Sequence, residues 1–235
     1  MATTIDGNVA ARDAILDRVR RALRKSDDGA VARADAQRYV AMHAQGPQPG
    51  SGTDLVAEFV ERAIHMESTV ERIVSRAAIP AAVANYLDAL ELPPAIAAQK
   101  SHNGVCWPEF ADLDWSGAGL SIEPRPTHGH DRLGITSCLC AIAETGTLVF
   151  VPGREMPTAT TLLPDTHVVV LRAKDIVATM EDAFNRVRAA KSTLPRAIHF
   201  ISGPSRTGDI EQTIVLGAHG PYRVHILLLD PHAAS

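Results

Sequence analysis

Apolar residues recur at helical spacing along the first ninety positions and in strand-like runs beyond them. Residues 9–42 predict a helix in two pieces, broken near residues 27–29, with Ile15, Val19 and Leu23 on one face and charges between them. AQGPQPGSG at 44–52 predicts a linker, because its glycines and prolines suit neither regular structure. Thr53 is then a candidate N-cap for a helix carrying Leu55, Val56, Phe59, Val60 and Ile64. A further helix follows Pro80, with Val83, Leu87 and Leu90 on one side, so the chain reads as helical almost throughout up to Leu92.

After that the pattern changes. Residues 95–98 form a short candidate strand, and 142–143 and 147–151 flank a tight turn at Gly146. HVVVL at 167–171 is continuously apolar, the signature of a strand covered on both faces. A helix is predicted over 174–190 through Ile176, Val177, Met180, Phe184 and Val187. AIHFIS at 197–202 predicts a buried strand, 207–216 a helix, and VHILLL at 224–229 the last strand. Alternating strands and helices imply right-handed crossovers in a parallel sheet. The expectation is an α/β protein: a three-layer Rossmann-like domain over 53–235 behind an N-terminal helical extension and linker over 1–52.

Composition narrows the function. With 235 residues, 46% of them hydrophobic, the chain can bury a sizeable core. A net charge of −4 gives no footprint for nucleic acid or anionic membranes. No apolar run approaches the roughly 20 residues of a membrane span, and Arg12, Asp13, Asp17 and Arg18 interrupt what would be a signal peptide's apolar core. Cys106, Cys138 and Cys140 are odd in number, and two are too close in sequence for an ordinary disulfide framework, which points to a reducing cytoplasm. They lack the four-ligand spacing of an iron–sulfur or zinc site, and small buried hydrophobes are their expected role. Neither a G-x-G-x-x-G turn nor a P-loop is present.

Two polar loops fall where parallel sheets bind ligands, at strand ends. AETGT at 143–147 places Glu144, Thr145, Gly146 and Thr147 between apolar runs. SGPSRTGDIEQT at 202–213 follows a predicted strand and opens a predicted helix. There Ser202, Gly203, Ser205 and Thr207 shape an anion site, Arg206 offers a planar fork, and Asp209 and Glu211 fall in the first helical turn. His219, in GAHGP, would orient a ligand from the far end of that helix, and His128 and His130 read as a solvated loop. A structural account stands beside this one: Ser205 or Thr207 as a helix cap, Arg206 in an ion pair, and Glu144 accepting backbone hydrogen bonds rather than acting as base or nucleophile.

AIAETGTLVF (141–150), LLPDTHVVVL (162–171) and FISGPSRTGDIEQTIVLGAHGP (200–221) together resemble the lactate-utilization protein C family, LutC/YkgG, the LUD domain. That resemblance covers about the C-terminal hundred residues and implies a NagB/RpiA/CoA-transferase-like fold. It implies also a place beside two iron–sulfur proteins that oxidise L-lactate to pyruvate, with the clusters in the partners and no cofactor in this chain. By fold analogy alone, Glu144 corresponds to the catalytic glutamate of CoA transferases. Three functions follow: a subunit of a lactate-oxidising complex that binds a small carboxylate, a stand-alone transferase or isomerase acting on a CoA or phosphorylated substrate, or a ligand sensor. The N-terminal helices would serve as a docking arm or in self-association.

Overall fold

The structure is a computed structural model that describes residues 4–23, 29–48, 50, 52–91, 102–190, 195–210, 213–217 and 219–231. The chain divides into two units, Met1–Gln48 and Pro49–Ser235. The first holds α1 (Thr4–Ala22) and α2 (Ala30–Met42), and every side chain described in either helix is exposed. No helix among the described residues is long and apolar enough to cross a membrane.

In the second unit α3 (Leu55–His65) starts at Asp54, whose Oδ1 accepts from the amide of Ala57 at 3.0 Å. The cap is therefore Asp54 and not Thr53. Its loss in Asp54→Ala is expected to cost about 1 kcal/mol, read as a lower urea midpoint at unchanged m. The chain is not helical throughout to Leu92, because β1 (Thr69–Ile73) lies between α3 and α4 (Ile79–Ala89). Glu71 and Arg72 hide this strand from pattern reading, and they suit its place on a sheet edge. The strand expected at 95–98 lies outside the described residues.

The rest of the unit supplies β2 (Asn103–Cys106), β3 (Ser121–Glu123), β4 (Leu133–Ser137), the hairpin β5 (Cys140–Ile142) and β6 (Thr147–Phe150), and a short α5 (Ala159–Leu162). Then come β7 (Thr166–Arg172), β8 (Ile176–Val177), α6 (Met180–Ala190), β9 (His199–Ile201), β10 (Arg206–Ile210), β11 (Thr213–Leu216) and β12 (Arg223–Leu229). Six strands form an all-parallel sheet in the order β1-β12-β7-β4-β2-β3. Four more make a second, mixed sheet, β8-β5-β6-β9.

Three further elements differ from the sequence expectation. Residues 207–216 are not a helix: β10 and β11 pair antiparallel, with a register shift between Thr207 and Ile210. AIHFIS is not a buried strand of the parallel sheet, since β9 is the edge of the second sheet and Phe200 is exposed. The helix expected from 174 begins at Met180, because Ile176 and Val177 pair with β5. Thr179 and Asp182 close a capping box at its start: the Thr179 amide donates to Asp182 Oδ2 at 3.2 Å, and the Asp182 amide to Thr179 Oγ1 at 3.3 Å.

Packing follows strand alternation. Ala141, Leu148 and Phe150 join the main core, while Cys140, Ile142 and Val149 point the other way and meet Ala183 and Val187 of α6. In β7 both faces are covered. His167 turns toward Phe150 of the second sheet, whereas Val168 is level with His225 of β12, whose ring stacks on Tyr86 of α4 at 3.8 Å.

Candidate functional site

The two motif loops do converge, and they converge on the end of α3. Gly146 has φ 64°, and a Cβ there would stand 2.6 Å from the Ala63 amide nitrogen. Gly203 has φ 82°, and its Cβ would lie 1.9 Å from the Met66 carbonyl oxygen. Both turns are glycine because backbone of α3 occupies the space a side chain would need. Between them runs a chain of hydroxyls, Thr145 Oγ1 to Thr147 Oγ1 at 2.8 Å and Thr147 Oγ1 to Ser202 Oγ at 2.6 Å.

The charged motif residues finish helix ends. Glu144 Oε1 accepts from the Met180 amide at 3.0 Å, placing a carboxylate at the N-terminus of α6. Arg206 donates to the Met66 carbonyl at 3.1 Å and pairs with Glu67 at 3.2 Å, placing a guanidinium at the C-terminus of α3. Glu67 itself has φ 66° and sits in a Schellman turn, closed by Ser68 N to Ala63 O at 3.0 Å and Glu67 N to Ile64 O at 2.9 Å. A glutamate at a position that favours glycine is accounted for by its pairing with Arg206.

Ser205 Oγ accepts from the His219 amide at 3.3 Å, so it holds a loop and does not cap a helix. Thr207 is buried, Asp209 lies in β10, and Glu211 falls outside the described residues. With a hairpin in place of the expected helix, no helical N-terminus adds its amides to this loop.

A second place has the shape of a ligand site. From β2 the chain passes to β3 on one side, whereas β4, β7 and β12 build out on the other, so the strand order reverses between β2 and β4. Open parallel sheets take ligands at the carboxyl ends of the strands beside such a reversal. A cavity of about 150 Å³ lies there, lined by Arg76, Glu109, Ser137, Cys138 and Arg172, with Leu229 as part of its apolar wall. It abuts a second of about 240 Å³ that shares Ser137, Cys138 and Arg172 and adds Trp107 and Met156. Such volumes accommodate a few heavy atoms plus water.

The polar groups of this crevice are held by one another and by carboxylates outside it. Ser137 Oγ donates to Glu109 Oε1 at 2.5 Å. Arg76 is braced by Asp112 at 2.6 Å and by the Glu109 carbonyl, and Arg172 by the buried carboxylate of Asp175, which Arg186 also contacts at 3.0 Å. Two guanidiniums, a hydroxyl and a carboxylate thus face one small space, a set suited to a small hydroxylated carboxylate. Burial holds the Cys138 thiol well above its usual pKa and pushes Cys106 and Cys140 up to about 11. Such thiols are poor cluster ligands, since metals bind the thiolate. Among the described residues no group of three or more His, Cys, Asp or Glu side chains is arranged to hold a metal ion. Sequence reading missed Arg76, Glu109, Ser137 and Arg172. The available signal was position: each follows or ends a strand of the parallel sheet, but β2 and β4 are short and were not recognised.

A family model described as the LUD domain matches residues 121–229. The lactate utilization protein C of Deinococcus radiodurans is 35% identical over 155 residues, an alignment covering 61% of this chain and 71% of that protein. The lactate utilization protein C of Bacillus subtilis is 34% identical over 102 residues, 42% of each chain, so this chain matches less than half of that relative's length. The crystal structure of a DUF162 family protein from Deinococcus radiodurans superposes with a TM-score of 0.53 at 22% identity, covering 77% of this chain and all of that one, a likeness of fold.

Proposed function

The chain belongs to the lactate utilization protein C family, and from that premise we propose that it serves lactate utilization by binding a small 2-hydroxycarboxylate in the crevice at the strand ends. The observation that carries this reading is the convergence of Arg76, Arg172, Ser137 and Glu109 on a cavity of about 150 Å³ at the reversal of strand order. Arg172 and Arg76 hold the carboxylate, and the Ser137–Glu109 pair receives the hydroxyl. Oxidation of L-lactate to pyruvate needs an acceptor for two electrons. We assign it to two iron–sulfur partner proteins of the reducing cytoplasm, because the protonated, buried thiols of this chain do not fit a cluster. Glu144, the hydroxyl chain and Arg206 fix α3 and α6 about the second sheet in this reading.

The test is lactate-dependent reduction of an artificial electron acceptor by anaerobically reconstituted iron–sulfur partners, with and without this chain. Activity is expected to require the chain and to fall about 10- to 100-fold in Arg172→Gln and Glu109→Gln, the loss of one or two charge-assisted hydrogen bonds. Activity indifferent to the chain overturns the reading. One observation favours a second reading. The Ser137–Glu109 bond sets a hydroxyl against a carboxylate, a pairing that a stand-alone transferase or isomerase can use. Saturable binding of CoA or a sugar phosphate, abolished by Glu109→Gln without any partner protein, would select it.

A further inference from the structure

Helix α1, with Leu23 just beyond it, presents an exposed apolar stripe. Val9, Ile15, Leu16, Val19 and Leu23 are exposed by 50%, 63%, 37%, 46% and 60%. A helix of 19 residues with an unburied stripe is marginal in water, since helices in proteins draw most of their stability from packing that face. The stripe has a seven-residue register: Val9, Leu16 and Leu23 repeat at intervals of seven, with Arg12 and Val19 midway between them. Asp13 and Arg20 flank this seam in one column, while Ile15 and Ala22 flank it in the other.

Those flanking charges decide the occupant. Side by side in the same direction, Arg20 of one copy of α1 would face Ile15 of the other, and no ion pair would form across the seam. In opposite directions, Asp13 of each falls beside Arg20 of the other, so one two-fold axis makes the pair twice, and Leu16 meets Val19 near the axis. The arginines' present partner is local: Arg20 Nη1 holds Asp17 at 2.6 Å on the same helix, an exposed contact that need not break for Arg20 to reach a second carboxylate. Arg12 enters the seam only toward its end, opposite Leu23, where its charged head reaches solvent.

We infer that α1 is a self-association element, which pairs antiparallel with α1 of a second copy of this chain through Leu16 and Val19, with reciprocal Asp13–Arg20 contacts. The test uses the full chain in sedimentation velocity over about 1–100 µM, a range spanning the affinity of a short two-helix seam. A concentration-dependent dimer is expected. Leu16→Glu should weaken it by about 100-fold, since it puts charge at the centre of the seam. Asp13→Arg should weaken it by about tenfold, and adding Arg20→Asp to that variant should restore wild-type association, because the reciprocal pair is rebuilt with signs exchanged. A monomer throughout the range overturns the inference, as does a dimer indifferent to Leu16→Glu. Asp13→Arg left unrescued by Arg20→Asp overturns the antiparallel arrangement. Circular dichroism of each variant at low concentration shows whether the second unit remains folded.

Discussion

Gly203→Ala is expected to destabilise the protein by about 3–5 kcal/mol, lowering Tm by roughly 10–15 °C for a domain of this size. Two costs add. A residue with a Cβ at φ 82° is strained by about 1–2 kcal/mol. The Cβ would also stand 1.9 Å from the Met66 carbonyl oxygen, which is backbone and cannot rotate aside. Relief requires that α3 move off the loop, and Arg206 then loses the Met66 carbonyl and Glu67 together. Gly119 provides the control: its φ is 74° but nothing lies within 4 Å of its Cβ position, so Gly119→Ala should show the conformational cost alone. Equal losses in the two variants, measured by urea denaturation, would remove the close approach from the account.

Mild acid is expected to unfold the protein through two histidines on opposite faces of the parallel sheet. Burial pushes the His167 pKa down to about 3 and that of His225 down to about 4. His167 bonds Thr136 at 2.8 Å and His225 bonds Thr69 at 2.8 Å, each through one ring nitrogen. Nδ1 of His167 is buried without a hydrogen-bond partner among the described residues, so protonation there would bury an unsatisfied charge; Nε2 of His225 stands 3.7 Å from Glu71 Oε2, too far for a hydrogen bond, and burial outweighs that carboxylate in holding its pKa down. The folded pKa values lie below the unfolded value near 6.5, so the unfolded chain takes up protons that the folded chain refuses. Stability is therefore intact above about pH 6.5 and declines as pH falls, until His225 titrates in the folded state near 4 and His167 near 3. The slope approaches about 1.4 kcal/mol per pH unit per histidine below the unfolded pKa, or roughly 3 kcal/mol for the pair between pH 6.5 and 5. His225→Gln should halve the slope of urea stability against pH. An unchanged slope, or the ring of His167 or His225 titrating near 6.5 by NMR, would sink this assignment.

Continuous apolar runs made part of the fold legible. HVVVL and VHILLL are strands because both of their faces are covered, and the stripes of α3 and α4 mark helices whose buried residues include Phe59, Ala63, Val83 and Leu87. The hairpin of β5 and β6 followed from the glycine between two apolar segments. Where charge entered a strand the reading failed: β1 carries Glu71 and Arg72, and β10 carries Arg206 and Asp209. The motif loops were conspicuous in sequence, yet their common partner is the backbone at Met66 and Ala63, which no local pattern reveals. For the same reason the crevice was not legible, since Arg76, Glu109, Ser137 and Arg172 come from four separate segments.

The order of the main sheet has a consequence for synthesis. Its first strand in sequence, β1, has a single neighbour, β12, the last. Thr69 therefore waits for His225, 156 positions downstream, before it has any strand to pair with. A nascent chain emerging from the ribosome can form α3 and α4 early, but β1 stays an open edge until β12 has been made. Closing so long a loop costs little more free energy than closing one of half the length, yet it delays the native pairing until β12 has emerged. During that interval the exposed edge of β1 is guarded chiefly by the charges of Glu71 and Arg72, the residues that made it hard to recognise as a strand.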